Sequence, residues 1–209
     1  MSSKAYFDEV AGDWSNMRKA FFSDAIRDKA FAVARLEAGK TAADIGAGTG
    51  FISRGLVAAG MNVIAVDQSA AMLAELKKQL RPSSAVDCRQ GTAELLPIAD
   101  EQVDYAFANM YIHHVEKPSG ALKEMARILR PGGRLVVTDL DQHEFEFLRR
   151  EQHDRWMGFK REDVTAWLEA AGLVNVNVEN AGGNCCATSC EASAQAAVSI
   201  FVASGEKSC

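Results

Sequence analysis

The sequence predicts an α/β fold: a doubly wound, mostly parallel seven-stranded sheet with an antiparallel last strand and an N-terminal helical lid. Three observations predict it. Between Thr41 and Asp139 short β-branched runs alternate with helical stretches, the pattern of repeated βα units. The first run enters a glycine-rich turn, "DIGAGTG", at residues 44–50. Two strand-like runs, 173–179 and 197–204, end the chain with no helical pattern between them, which suits an antiparallel hairpin at the sheet edge. The expectation is one domain over residues 1–209, a helical cap over 1–38 and a core over 39–209.

Each element has its own signal. Residues 5–37 are helix-like, with Phe7, Val10 and Trp14 on one face and Phe22, Ile26, Ala30 and Val33 on a second. Gly39 closes this region. Thr41–Ile45 is the first strand, and 51–59 is a helix stopped by Gly60. The run "MNVIAVD" is the second strand; Ser69 can cap the helix after it, which stops before Pro82. Strands follow at 85–90 and 103–109. Pro118 suits the first turn of a helix that ends at Pro131-Gly132-Gly133, and 134–139 is the fifth strand. A helix-like insert, 143–156, precedes a helix around 164–171 and the terminal hairpin, whose first strand should run parallel to the others.

Composition narrows the function. Hydrophobic residues make up 48% and the net charge is −5. That is an ordinary globular balance without the basic footprint of a nucleic-acid partner. No apolar leader and no stretch long enough to cross a membrane is visible. A cytoplasmic protein acting on a small molecule is expected; its oligomeric state is not legible. Three of five cysteines fall within 185–190, and in a reducing compartment a disulfide framework is not expected.

The glycine turn selects the ligand. A dinucleotide turn needs G-x-G-x-x-G. Gly46 and Gly48 fit, but the third position is Phe51 and Gly50 comes one place early. No Gly-Lys-Ser/Thr follows, so the turn is not a P-loop. Asp67 ends the second strand, where a carboxylate accepts from both ribose hydroxyls. Asp44, just before the turn, can meet a cationic amine. An anion site, an amine site and a ribose site together describe S-adenosylmethionine better than NAD.

At this point the sequence resembles the class I S-adenosylmethionine-dependent methyltransferases, which have a Rossmann-like fold. The residues that carry the resemblance are "DIGAGTG", "VDQSAAML", "GTAELLPIADEQVDYAFANMYIHHVEKP" and "EMARILRPGGRLVVTD". The nearest likeness is to ubiquinone/menaquinone-type and other small-molecule enzymes, whose N-terminus often reads like "YFDEVAGDW". The resemblance implies Gly46, Gly48 and Gly50 under the methionine part and Asp44 near its amine. It implies Asp67 on the ribose, Gln68 and Met72 flanking the adenine, and Thr92 and Ala93 at its edge. Asn109 and Met110 would lie under the sulfonium, and Tyr6 and Trp14 would form a lid or simply pack between helices. Many relatives carry Asp where this chain has Thr92.

The acceptor side is less determined. A carbon or oxygen acceptor needs a base, for which His113 and His143 are the candidates; a thiolate or metalloid does not. Cys185, Cys186 and Cys190 crowd the stretch "GGNCCATSC", read as a loop on the cofactor side. Soft thiolates select soft species, and the stretch is similar to the thiol sites of arsenite methyltransferases. Those enzymes place a cysteine after the glycine turn, where this chain has Phe51 and Ile52. No standard zinc spacing is present. The competing expectation is an S-adenosylmethionine-binding accessory module without turnover.

Overall fold

The computed structural model describes residues 3–80, 86–189 and 194–208. Its strands are β1 (Thr41–Ile45), β2 (Asn62–Asp67), β3 (Val86–Gln90), β4 (Val103–Asn109), β5 (Leu129–Leu140), β6 (Leu173–Thr188) and β7 (Gln195–Lys207). They form one sheet in the order β3-β2-β1-β4-β5-β7-β6. β1 to β5 pair in parallel. β7 is antiparallel to both β5 and β6, so β6 runs parallel to the rest, as expected.

The helices are α1 (Ser3–Val10), α2 (Trp14–Phe21), α3 (Ala25–Ala34), α4 (Phe51–Ala58), α5 (Ala70–Gln79), α6 (Pro118–Ile128), α7 (Glu146–Glu151) and α8 (Arg161–Ala170). Alternate residues of each strand serve opposite faces. Ala43, Ile45, Ala106 and Val137 pack with Leu122 and Met125 of α6 and Val164 and Leu168 of α8. Ala42, Phe107, Val136 and Val202 pack with Ile26 and Ala30 of α3 and Leu56 of α4. Ser69 caps α5 by accepting from the Met72 N–H at 3.0 Å, and Pro118 occupies the first turn of α6.

Three expectations change. The single helical stretch before residue 38 is three helices, because Gly12-Asp13 and the extended Phe22 interrupt it. The insert over 143–156 is helical only in α7. The cysteine stretch is not a loop. β6 continues to Thr188 across an irregularity between Asn180 and Asn184, where Gly182 takes a φ of +85°. Cys185 and Cys186 therefore sit inside β6, opposite Val198 and Ala197; Cys190 lies outside the described residues.

The glycine turn is held by sterics as well as by conformation. Gly46 has a φ of +71°, and a Cβ there would lie 2.2 Å from Cγ of Tyr111. A side chain would meet both backbone strain and a ring it cannot avoid. Gly46→Ala is expected to cost about 2–4 kcal/mol of stability in urea unfolding; a loss below about 0.5 kcal/mol would show that the Tyr111–Gly46 contact is not tight.

Candidate active site

The sheet reverses between β1 and β4: the chain steps outward to β2 and β3, then returns to add β4 and β5 on the other side. Crevices at the carboxyl ends of such a switch point take ligands. A recess of about 620 Å³ opens there. It brings together Trp14, Asp44, Gly46, Gly48, Asp67, Gln68, Met72, Asn109 and Met110 from the sequence-predicted set.

Asp44, at the end of β1, accepts from the Ser53 N–H at 2.9 Å and from the Ser53 hydroxyl at 2.6 Å. Full burial pushes its pKa up to about 6 despite those bonds. Asp67, at the end of β2, accepts from the Gly48 N–H through Oδ2 and from the Ser69 N–H through Oδ1, both at 2.8 Å. Burial raises it too. Each carboxylate oxygen keeps a further lone pair for a ligand hydroxyl. Met110 adopts a left-handed φ of +50°, held by its N–H donating to Thr138 O at 2.8 Å. The Thr138 hydroxyl donates to Asn109 Oδ1 at 2.7 Å. Backbone strain of this kind persists where the surroundings impose it.

The N-terminal helices cover this recess through specific bonds. The Ser69 hydroxyl donates to Asp8 at 2.6 Å, and the Ser15 and Thr49 hydroxyls are 2.9 Å apart. Trp14 Nε1 lies 3.5 Å from where a Gly48 Cβ would stand.

Some predicted residues play other parts. Gly50 is outside the lining; a Cβ on it would meet Leu76 at 2.8 Å, so it admits close helix packing. Thr92 lines a neighbouring recess that shares Gln68, Tyr111 and His114 with the first, and Ala93 is buried. Tyr6 is not a wall of the recess: its hydroxyl donates to Gln152 at 3.2 Å and its ring stacks beside His153. Sequence reasoning missed Arg18, which lines the recess, is buried, and stands 4.0 Å from the Phe51 ring centroid.

A second recess, about 460 Å³, adjoins the first and shares Phe7, Trp14, Phe22, Met110 and His114 with it. Its own walls are Phe21, Leu140 and Leu148, and its polar end is His113, Gln152, Asp154 and Cys185. His113 Nδ1 is 2.6 Å from Asp139 Oδ1, and its Nε2 is 3.6 Å from Asp154 Oδ1. Burial alone would lower its pKa, but Asp139 and Asp154 override it and raise it to about 9. His114 is held well below its ordinary value by burial and by His113. Burial raises Asp154 to about 6.

Two acceptor-side expectations are corrected. His143 is buried but lines neither recess. Its Nδ1 accepts from the Phe145 N–H, and its Nε2 has no partner among the described residues. Of the described cysteines, only Cys185 lines the recess. Cys186, next to it on the strand, is exposed on the opposite side. Burial, with Asp154 adding to it, pushes Cys185 up to about 12, so it is a thiol at neutral pH and not a ready thiolate.

Comparison with known proteins agrees with this geometry. Residues 43–137 match a family described as a methyltransferase domain. The bifunctional biotin biosynthesis protein BioHC of Cellvibrio japonicus is 35% identical over 146 residues, covering 69% of this chain and 28% of that protein. A malonyl-[acyl-carrier protein] O-methyltransferase of Methylococcus capsulatus is 39% identical over 136 residues, 64% of this chain and 44% of the relative. A demethylmenaquinone methyltransferase of Renibacterium salmoninarum is 37% identical over 107 residues, 51% and 44%. The chain thus spans less than half the length of these curated relatives. In fold it is similar to an S-adenosylmethionine-dependent methyltransferase of Thermotoga maritima, with a TM-score of 0.69, 24% identity and 98% and 99% coverage. It is also similar in fold to a methyltransferase solved with the Trm112 activator of Haloferax volcanii, with a TM-score of 0.78, 19% identity and 97% and 98% coverage. Among the described residues no helix is long and apolar enough to cross a membrane.

The buried Asp44 makes stability depend on pH. A carboxyl raised from 3.8 to about 6 in the folded chain stabilises it below the unfolded pKa, and this contribution is lost as pH rises through about 6. The full swing corresponds to about 3 kcal/mol. Asp44→Asn is expected to flatten the fall in urea-unfolding stability between about pH 4 and about pH 7. An unchanged slope would mean that Asp44 does not titrate in that window.

Proposed function

We propose, from the premise that the chain belongs to the class I S-adenosylmethionine-dependent methyltransferases, that it methylates a small acceptor seated in the second recess. The observation that carries this reading is the shared wall. Two recesses with different chemistry meet at Phe7, Trp14, Phe22, Met110 and His114. One is rich in backbone turns and carboxylates, the other apolar with one polar end.

The residues present fit S-adenosylmethionine. Asp44 offers a buried carboxylate to an ammonium group, and Asp67 has lone pairs left for ribose hydroxyls. Arg18 is the cation on the same wall and would receive the methionine carboxylate. When bound, S-adenosylmethionine supplies a methyl group already activated by its sulfonium. What the chain must add is alignment and exclusion of water. The aromatic walls exclude water, and Met110, fixed by Thr138, stands where the two recesses join.

The acceptor should carry an apolar body, matched to Phe21, Leu140 and Leu148, and one polar atom directed at His113 and Asp154. A soft thiol or metalloid acceptor is a second reading, favoured by Cys185 at the same polar end. Among the described residues it rests on that one cysteine, since Cys186 is exposed on the other face of the strand. Release of S-adenosylhomocysteine across a panel of phenols, thiols and arsenite tests both readings. A chain that binds the cofactor but turns over nothing in the panel would be the accessory module instead.

Two variants separate the recesses. Arg18→Gln is expected to weaken S-adenosylhomocysteine binding by about 1.5–3 kcal/mol in calorimetry, the scale of a charge-assisted hydrogen bond; an unchanged affinity would remove Arg18 from the cofactor site. Leu148→Trp should fill the acceptor recess. With S-adenosylhomocysteine affinity held within about threefold, turnover should fall by about tenfold or more, since misplacing the acceptor alone has effects of this size. Undiminished turnover would place the acceptor elsewhere.

A further inference from the structure

We propose that His113, His114 and Asp154 form a binding site for a borderline divalent metal ion of the zinc class, with one coordination position open to the acceptor recess. The inference rests on the reading of that recess as the acceptor site.

Four observations carry it. One donor atom from each of the three residues lies within 4.8 Å of the other two, and all three residues are buried. Asp154 Oδ1 is 3.6 Å from His113 Nε2 and 3.8 Å from His114 Nδ1. Donors about 2.0–2.1 Å from a tetrahedral zinc ion stand about 3.3 Å apart, so these two pairs need close by only a few tenths of an ångström. The second observation is Asp139. Its carboxylate holds His113 through Nδ1 and leaves Nε2 directed toward Asp154. A ligating histidine is oriented in this way by a carboxylate on its other nitrogen.

The third observation is that Asp154 is placed by backbone. The Arg155 and Trp156 N–H groups both donate to the His113 carbonyl at 3.0 Å, and Trp156 Nε1 donates to Val115 O at 2.9 Å. A segment far along the chain is thus clipped beside the histidine pair. The fourth is the competition for His114. Its Nδ1 has only a 3.4 Å contact with the His153 carbonyl, a long bond that a metal would readily replace.

Two nitrogens and a carboxylate oxygen with one open position is the ligand set of a catalytic zinc site. Leu148, Gln152 and Cys185 line the same recess as the three ligands. A hydroxyl or thiol acceptor would bind there as its anion, its proton released to solvent as it enters the recess. Its lone pair then forms the bond to the methyl carbon, while the carbon–sulfur bond breaks and its pair returns to sulfur as S-adenosylhomocysteine. The acceptor class is therefore an apolar molecule with an ionisable hydroxyl or thiol.

The test is zinc titration of chelator-dialysed protein against a chromophoric competitor, in a background of Cys88→Ser, Cys186→Ser, Cys190→Ser and Cys209→Ser that keeps Cys185 as its one thiol. The expected result is one zinc per chain, with His114→Ala and Asp154→Asn each weakening it about tenfold or more. Asp139→Asn should weaken it about 10–100-fold through His113. Circular dichroism and urea unfolding of the same samples report folding independently. No stoichiometric zinc in a background that binds S-adenosylhomocysteine, or equal zinc affinity in Asp154→Asn, would overturn the metal site and leave the methyltransferase reading standing. Failure to bind S-adenosylhomocysteine, with zinc still bound through the three residues, would overturn the cofactor reading instead.

Discussion

The site depends on the side chain of Asp139. It is fully buried near the end of β5, where an unpartnered carboxyl would be costly. Four donors surround it: the N–H groups of Tyr111, His113 and Leu140, at 3.2, 3.4 and 2.7 Å, and His113 Nδ1 at 2.6 Å. Those bonds tie the turn after β4 to the end of β5. Tyr111 is thereby pressed over Gly46, and His113 is turned toward Asp154. One carboxyl thus fixes a wall of the cofactor recess and the polar end of the acceptor recess together. Its loss would leave three backbone N–H groups and an imidazole to find new partners in a dry interior, which is a larger change than the loss of one contact.

What the sequence made legible was local. Ser69 lies three residues before the N–H it caps, so its role is written within one turn of helix. Asp44 and Asp67 stand beside a glycine turn and at the end of a β-branched run, and the structure places both in the same recess. The misses were long-range. Gly182, Gly183 and Asn184 read as loop residues, yet they belong to a bulged strand whose continuity depends on pairing with β7. Once that strand is recognised, its period of two sends Cys185 inward and Cys186 outward. Arg18 and Asp154 are ordinary charged letters in polar stretches. Only tertiary packing buries them, and no short-range pattern encodes that.

His143 shows the same limit from the other side. Its position soon after β5 suggested a place at the carboxyl end of the sheet. The chain instead turns at Asp141, which accepts from Arg161 at 2.6 and 2.8 Å and from the Ser199 hydroxyl at 2.6 Å. Backbone bonds from Gln142 to Phe159 and from His143 to Met157 then zip the excursion shut at its base. The imidazole of His143 is carried away from the recess, while Asp154, eleven residues later, is delivered to it.

The two recesses are consequently built by different parts of the chain. The first recess is made by residues 44–72 with Asn109, Met110, Tyr111 and His114, and covered by α1 and α2. That cover is held by hydroxyl bonds, by ring contacts of Phe7 and Trp14 and by the buried Arg18 of α2, while α1 contributes no buried residue. α1 is therefore the part of the cover that moves with the least loss of buried surface. The private walls of the acceptor half come largely from the 142–159 excursion and from β6, both anchored by ion-paired and sheet bonds. On the proposed reading, entry and exit of cofactor fall to the early helices, and acceptor choice falls to the late excursion, where Leu148, Gln152 and Asp154 stand apart from the glycine turn. The only residues that answer to both are those of the shared wall, and among them Met110 is held in a strained backbone conformation by Thr138. On the proposed reading, its position is the point at which methyl donor and acceptor would be brought into line.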